Sequence, residues 1–279
     1  MMRATVVLAS QGIYEHIPTE DVVGYVQRER SILAWAIDGA STLTAAPYNT
    51  FHDVTDAGWF ARQLDQRLRA ECQDVPFSKA LLHRILRSVR EEYVRAGGLR
   101  QPLWAWPSAA ALCVEMCRAG GQIEMSIFRY ADCFIETCHA TDLREEYSSD
   151  PAQNTPEFDP WKPFSGFRGQ KLASLWRRRM QQQMNLVRNA LTINPASAMN
   201  AVEEQGIVSS PVHVLLGSDG LSRIWDTYHV MTKDEAMRFV VRQGLHALLR
   251  KLREFESNSR TGVDSKRRDD ASGLHIFLT

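Results

Sequence analysis

The sequence predicts a layered α+β fold with mostly antiparallel sheets, and the order of its predicted elements is the reason. Apolar runs typical of strands come first, two amphipathic helical segments follow, and strands, helices and a last strand complete the chain. Strands and helices do not alternate, as they would in a doubly wound parallel fold. A chain of 279 residues is long enough to bury a sizeable core, and we expect residues 1–279 to form a single domain.

Periodicity places the elements of the first half. Strands are predicted at 4–9, 22–26 and 31–37, where apolar residues run together. A helix is predicted over 56–72, because Trp59, Phe60, Leu64 and Leu68 recur at helical spacing. A second helix is predicted over 78–95, with Ser78 as its N-cap and two glycines, 97 and 98, after its end.

The second half begins with a predicted hairpin that joins strands 109–116 and 124–130, and a strand at 134–138 continues the sheet. Residues 142–170 contain four prolines and many polar residues, which predicts a long surface loop or flap. A helix over 172–191 carries Arg177, Arg178 and Arg179; these could bind a phosphorylated partner, but a solvated helix face is the favoured interpretation. The remaining predicted elements are a strand at 212–216, helices at 221–228 and 233–256, and a strand at 273–278.

Composition narrows the class of protein. The chain is 44% hydrophobic and 24% charged, as is typical of globular proteins. Its 33 basic and 33 acidic residues give zero formal net charge, so there is no global attraction to nucleic acid or to an anionic membrane. No apolar run approaches the roughly 20 residues of a membrane span. The first ten residues predict a strand rather than a signal peptide, and we expect a cytoplasmic protein.

The five cysteines argue against a disulfide framework, because their number is odd and their spacing is irregular. This usage favours a reducing compartment. Cys113 and Cys117 would share one face of a strand, and a four-thiolate zinc site with Cys133 and Cys138 is one interpretation. Buried, reduced thiols are the favoured one.

Carboxylates recur at the ends of predicted strands. Asp38 and Gly39 follow the third apolar run, Asp219 follows the strand at 212–216, and Asp269 lies just before the last strand. Each pattern alone is typical of a turn, but together they indicate a site for Mg²⁺ or Mn²⁺, which prefer oxygen ligands. Two such ions about 3.5–4 Å apart can clamp a phosphoryl group and activate a water.

These residues could supply the ligands of two ions, as follows. Asp38 would bridge them, and Gly39 would offer its carbonyl oxygen. Asp219 and Asp269 would complete one ion, while Glu20 and Asp21, just before the second strand, would serve the other.

The ordered set of Asp38-Gly39, Ser218-Asp219-Gly220-Leu221 and Asp269-Asp270-Ala271-Ser272 resembles the metal-dependent serine/threonine protein phosphatases of the type 2C class. The order and spacing agree along nearly the whole chain, which looks like a divergent, bacterial-type member. Two weaker similarities are Thr19-Glu20-Asp21, which resembles the family's Asn-Glu-Asp, and Asp132, which stands where the family has Gly-Asp-Ser.

The resemblance implies a four-layer α-β-β-α sandwich of two antiparallel sheets flanked by helices. It also implies hydrolysis of phosphoserine or phosphothreonine in proteins by water activated at a dinuclear Mg²⁺ or Mn²⁺ centre, without a covalent phosphoenzyme. Asp38, Asp219 and Asp269 would be the catalytic carboxylates, and Asp132 would match the ligand of a third ion. The expected partner is a phosphorylated protein, and a partner kinase and a signalling role are expected from the family.

Two departures from the family pattern concern the substrate phosphate. The family's phosphate-anchoring arginine is replaced by His16, and the acidic residue four positions after Asp219 is replaced by Arg223. His16 and Arg223 are therefore candidates to bind the substrate phosphate, although His16 could equally be a surface histidine and a helix-surface arginine is the favoured interpretation of Arg223. The sequence does not favour a third ion. The alternative is a phosphatase-like regulatory or binding module that has a metal site but little turnover.

Overall fold

Two antiparallel β-sheets pack face to face and carry helices on their outer sides, which confirms the predicted α+β sandwich. The computed structural model describes residues 2–13, 18–40, 43, 49–139, 167–258 and 268–279. Its strands, in chain order, are β1 (Ala4–Gln11), β2 (Val22–Gln27), β3 (Ser31–Gly39), β4 (Ser108–Ala119), β5 (Gln122–Tyr130), β6 (Phe134–His139), β7 (Leu191–Thr192), β8 (Val202–Ser209), β9 (Val212–Gly217) and β10 (Ala271–Leu278).

The helices, in chain order, are α1 (Asp56–Glu71), α2 (Lys79–Arg95), α3 (Gly169–Gln183), α4 (Asp219–Asp226), α5 (Lys233–Gln243) and α6 (Leu245–Asn258). One sheet has the strand order β2-β3-β4-β5-β8, with β7 paired to β4. The other has the order β1-β10-β9-β6. Ser78 caps α2 as predicted, because its side chain accepts a hydrogen bond from the backbone N–H of Leu81.

The core divides into three apolar layers, which explains the continuous apolar run of β3. Leu33, Trp35 and Ile37 pack against α1 and α2, whereas the alternate residues Ile32 and Ala34 lie between the two sheets. Both faces of β3 are therefore buried, and a strand buried on both faces needs no polar alternation. The third layer lies between the four-stranded sheet and helices α4, α5 and α6.

The structure corrects three predicted elements. The helix predicted over 233–256 is two helices, because Gly244 has a φ of 90° and interrupts it. The helix predicted over 172–191 spans Gly169–Gln183, and Asn185, with a φ of 59°, lies just after its end. Strand β8 was not predicted, because it is a largely exposed edge strand whose first half is polar. Of the predicted flap at 142–170, residues 142–166 lie outside the described part of the chain.

The cysteines are free thiols that lie in different layers. Cys113 packs under α1 and α2, whereas Cys133 lies between the sheets, so the four thiols are not brought together. Burial raises the pKa of Cys72 to about 11, which keeps this thiol protonated at neutral pH. Among the described helices, none is long and apolar enough to span a membrane.

Candidate metal centre

The predicted strand-end carboxylates meet at one cleft of about 280 Å³. Asp38 comes from the end of β3, Asp219 from the first residue of α4, and Asp269 from the segment before β10. Asp132, in the turn between β5 and β6, lines the same cleft and is exposed. The structure thus brings together four acidic residues that are far apart in the sequence.

The pairing of β9 with β10 holds two of these carboxylates side by side. Gly217 and Gly273 are opposite each other in the ladder, and beyond this pair the Ser218 N–H donates to the Ser272 carbonyl (3.0 Å). The Ser272 N–H in turn donates to the Ser218 hydroxyl (3.1 Å). These bonds fix the starts of α4 and β10 relative to each other, so Asp219 and Asp269 are set by backbone geometry.

Asp21 is the most deeply buried carboxylate of the group, with 3% of its surface exposed. Burial raises the pKa of Asp21 well above its usual value; a hydrogen bond from Ser218 opposes the increase, and the charges of Asp270, Asp269 and Asp219 add to it. Its Oδ2 atom is buried without a hydrogen-bond partner. A buried polar oxygen left unpaired is destabilising by about 1–3 kcal/mol or more, and a bound cation would satisfy it.

Asp38 is partly open to the cleft, yet desolvation by the surrounding protein is the largest cause of its raised pKa. The charges of Asp21, Asp219 and Asp269 raise the pKa further, and so does a hydrogen bond with Asp219. Crowded carboxylates disfavour each other's ionisation. A divalent cation would reverse this, because it favours the ionised form of every carboxylate around it.

The donor set fits a hard cation such as Mg²⁺ or Mn²⁺, which binds carboxylate and carbonyl oxygens. Within the described residues, no group of three or more His, Cys, Asp or Glu side chains is arranged to hold an ion directly. Mg²⁺ commonly keeps several waters and uses only one or two carboxylates. The evidence that a cation fits this site is therefore the unpaired Asp21 oxygen and the crowding of the acidic groups. A cation would bind that oxygen and offset the repulsion between the carboxylates.

Gly39 allows the segment before β2 to approach the end of β3. A Cβ atom at Gly39 would lie 2.8 Å from the carbonyl oxygen of Glu20, too close for any side chain. The Glu20 side chain accepts a hydrogen bond from the Thr55 hydroxyl, outside the set of residues that line the cleft. Of the pair at 20 and 21, it is Asp21 that lies among the other carboxylates.

Asp270, the second acidic residue before β10, has a different environment from Asp269. It is buried, and its carboxylate accepts hydrogen bonds from the backbone N–H groups of Ile13 (2.9 Å) and Glu20 (2.5 Å). It therefore ties both ends of the β1–β2 connection to the start of β10. Of the two aspartates, only Asp269 is among the residues that line the cleft.

Arg223, a candidate for the substrate phosphate, lies on α4 near Asp269. Arg223 is not among the residues that line the cleft. Its guanidinium lies 3.9 Å from the Asp269 carboxylate, donates to the Tyr228 hydroxyl (3.1 Å) and stacks on the ring of that residue. Arg223 thus contacts Tyr228 and lies near Asp269, outside the set of residues that line the cleft. His16 lies outside the described residues.

The same cleft has a basic wall, formed by residues for which phosphate binding was the less favoured interpretation of the sequence. Arg178 and Arg179 of α3 line the cleft, together with Gln182 and Asn189. Arg177 and Arg178 are exposed, in agreement with the favoured solvated face, whereas Arg179 is half-buried. The available signal was the i, i+3, i+4, i+7 spacing of 175, 178, 179 and 182, which puts these residues on one helix face.

Gly220→Ala is expected to destabilise the protein by about 1–3 kcal/mol through overpacking. A Cβ atom there would lie 1.8 Å from the Asp270 carbonyl oxygen and 3.2 Å from the Asp269 Cβ, so the segment that carries Asp269 must shift. Urea unfolding would measure the loss, and calorimetric titration would show weaker Mn²⁺ binding. Gly121→Ala is the control, because a Cβ at Gly121 meets nothing within 4 Å. Equal stability of the two variants would contradict the prediction.

Comparison with protein-family models and with curated proteins finds no match for this sequence. Solved structures, in contrast, are similar over the whole chain. The catalytic domain of the serine/threonine protein phosphatase PstP in complex with two manganese ions matches with a TM-score of 0.54 and 10% identity, over 100% of both chains. The serine/threonine phosphatase Stp1 from Staphylococcus aureus matches with a TM-score of 0.51 and 11% identity, over 100% of this chain and 96% of that one.

A third similar structure is the Mycobacterium tuberculosis serine/threonine phosphatase PstP/Ppp, with a TM-score of 0.51 and 12% identity over 99% of each chain. The chain therefore has the fold of bacterial serine/threonine phosphatases. The resemblance that the strand-end motifs predicted is confirmed at the level of the fold.

Proposed function

We propose that this protein is a metal-dependent phosphatase that hydrolyses phosphoserine or phosphothreonine in proteins. One observation carries the proposal: Asp38, Asp219 and Asp269 converge on one cleft, beside the buried and unpaired oxygen of Asp21. The fold, which is that of serine/threonine phosphatases, supports it.

Each acidic residue has a proposed part in this function. Asp38, whose charge interacts with those of Asp21, Asp219 and Asp269, would bridge two ions, and the Gly39 carbonyl would assist. Asp219 and Asp269 would hold one ion. Asp21, with Glu20 as the alternative ligand through water, would hold the other.

Mg²⁺ or Mn²⁺ at these positions would neutralise phosphoryl oxygens and lower the pKa of water. The chain itself supplies a floor of acidic groups whose positions are set by β3, by the β9–β10 ladder and by the start of α4. Asp132 is exposed at the cleft edge and would be the ligand of any third, looser ion. A phosphorylated protein as substrate, a partner kinase, a role in signalling and action in the cytoplasm belong to the same proposal.

Asp219→Asn is expected to abolish Mn²⁺-dependent hydrolysis of p-nitrophenyl phosphate and of a phosphothreonine peptide, because it removes a ligand charge from the cleft. The wild type is expected to be active with Mn²⁺ and inactive with a chelator. Asp226→Asn is the matched control, since Asp226 is an exposed carboxylate on the same helix. If the wild type hydrolyses these substrates no faster than Asp219→Asn in the presence of Mn²⁺, the proposed phosphatase activity is refuted.

A regulatory or binding module with little turnover is the second candidate, and the position of Arg223 is the observation that favours it. An arginine 3.9 Å from Asp269 partly neutralises a proposed ligand. If the protein is such a module, calorimetry should show that the wild type binds Mn²⁺ and that Asp219→Asn binds it more weakly. Neither protein should hydrolyse the substrates. The same pair of variants therefore separates the two functions.

A further inference from the structure

We propose that Arg178 and Arg179 of α3 form a phosphate-binding subsite, which receives the phosphate monoester dianion of the substrate above the acidic floor of the cleft. This inference rests on the proposed function, because it names the residues of that site which grip the phosphate. It takes these residues in preference to Arg223, which does not line the cleft.

The position of α3 over the cleft is set by packing and hydrogen bonds. Trp176 stacks on Trp104 with ring centroids 4.8 Å apart. At the end of the helix, the Gln183 amide donates to the carbonyls of Trp106 (3.0 Å) and Pro107 (2.9 Å). These contacts hold α3 against the segment that leads into β4, the central neighbour of β3.

Helix geometry decides which arginines face the cleft. Leu175, Arg178, Arg179 and Gln182 lie at i, i+3, i+4 and i+7, so they share one face, and all four line the cleft. Arg177 lies on another face, is exposed and does not line the cleft. Three consecutive arginines are therefore divided by the helix into two that face the site and one that faces solvent.

The acidic floor of the cleft and its basic α3 wall together suit the binding of cations and of a phosphate. The floor carries Asp38, Asp219 and Asp269, which suit cations, whereas the α3 wall carries two guanidinium groups. Guanidinium groups bind phosphate oxygens through paired, charge-assisted hydrogen bonds. A phosphate between the walls would meet cations on one side and arginine on the other.

Arg179 is half-buried, and Arg178 is exposed at the cleft mouth. Burial lowers the pKa of Arg179 to about 10, and the nearby charge of Glu20 opposes the decrease, so the guanidinium stays charged at neutral pH. The Gln182 amide donates to the Asn189 side chain (2.9 Å), which fixes two further polar groups on the same wall. The wall is therefore partly preorganised, which favours recognition of a small dianion.

The test is calorimetric titration of inorganic phosphate into the full-length protein in the presence of Mg²⁺, which reports binding without turnover. Arg178→Met and Arg179→Met are each expected to weaken phosphate binding about 10- to 100-fold, as loss of a hydrogen bond to a charged group predicts. Arg179→Lys should recover part of the loss, because it keeps the charge but not the fork. Arg177→Met is the matched control and should bind phosphate like the wild type.

The outcomes separate this inference from the proposed function. Weaker phosphate binding by the Arg178 and Arg179 variants, with KM for a phosphothreonine peptide raised more than kcat is lowered, supports it. If the wild type shows no hydrolysis but the same variants bind phosphate more weakly, the phosphate-binding subsite is supported and the proposed phosphatase activity is refuted. Unchanged phosphate affinity in Arg178→Met, an equal loss in Arg177→Met, or no phosphate binding by the wild type overturns the inference. A change in Mg²⁺ affinity alone also overturns it, because the arginines would then only neutralise the floor.

Discussion

Asp38→Asn is expected to lower kcat for Mn²⁺-dependent hydrolysis by on the order of 10³-fold, because a cation contributes several kcal/mol of charge stabilisation and each 1.36 kcal/mol is tenfold in rate. Asp38 is the residue whose charge interacts with Asp21, Asp219 and Asp269 together, so its removal affects both proposed ions. Asparagine keeps the shape of the side chain, which confines the change to charge. Steady-state kinetics with p-nitrophenyl phosphate over a range of Mn²⁺ concentrations would measure it.

Asp74→Asn is the control for this experiment, since Asp74 is an exposed carboxylate in the loop after α1. It is expected to retain the wild-type kcat. An Asp38→Asn variant that keeps more than about a tenth of the wild-type kcat at saturating Mn²⁺ would remove Asp38 from the bridging role.

Metal-free Asp38→Asn is expected to be more stable than the metal-free wild type at neutral pH. The folded protein holds the Asp38 proton more tightly than the unfolded chain, because burial and neighbouring carboxylates raise the pKa of Asp38 well above 3.8. Between the unfolded and the folded pKa, the folded state binds more protons, so the free energy of unfolding falls as pH rises. Asparagine at position 38 removes the contribution of Asp38 to this pH dependence. Thermal melts in chelator between pH 5 and 8 would show the wild type losing stability relative to the variant.

Added Mn²⁺ is expected to reverse that order. A ligand at 100 times its Kd stabilises the folded state by about 2.7 kcal/mol, which corresponds to a rise in Tm of roughly 5–10 °C for a chain of this size. The Tm of the wild type should rise by this amount, and the Tm of Asp38→Asn should rise much less. Equal gains in the two proteins would mean that Mn²⁺ binds elsewhere.

The strand-end pattern placed three carboxylates at strand ends correctly, because the position at which a strand ends is largely a local property of the sequence. The run from Ile32 to Ile37 forms a strand, and Asp38 must then stand at its end. The same holds for Asp219 after β9 and Asp269 before β10. The placement of these three residues on one cleft also follows the predicted sandwich, since two stacked sheets bring their strand ends to common edges.

Local patterns were a poor guide where exposure or a single backbone angle decided the outcome. Strand β8 is an exposed edge whose stability comes from pairing with β5, and its polar residues give no strand period. The break between α5 and α6 depends on Gly244, whose positive φ is invisible to hydrophobic spacing. Both errors arise because periodicity reports burial, not hydrogen-bond partners or dihedral angles.

The sequence by itself determined the class of fold and the acidic character of the site. The patterns that indicate them, which are the order of apolar runs and helical periods and the carboxylates at strand ends, involve residues that are close together in the sequence. Only the tertiary structure decided which arginines line the cleft and what Asp270 contacts. Two arginines of α3 line the cleft while Arg223 does not, and Asp270 ties the β1–β2 connection to the start of β10. The physical reason is that a side chain's partners depend on which distant segments pack beside it, and that packing is a property of the whole fold.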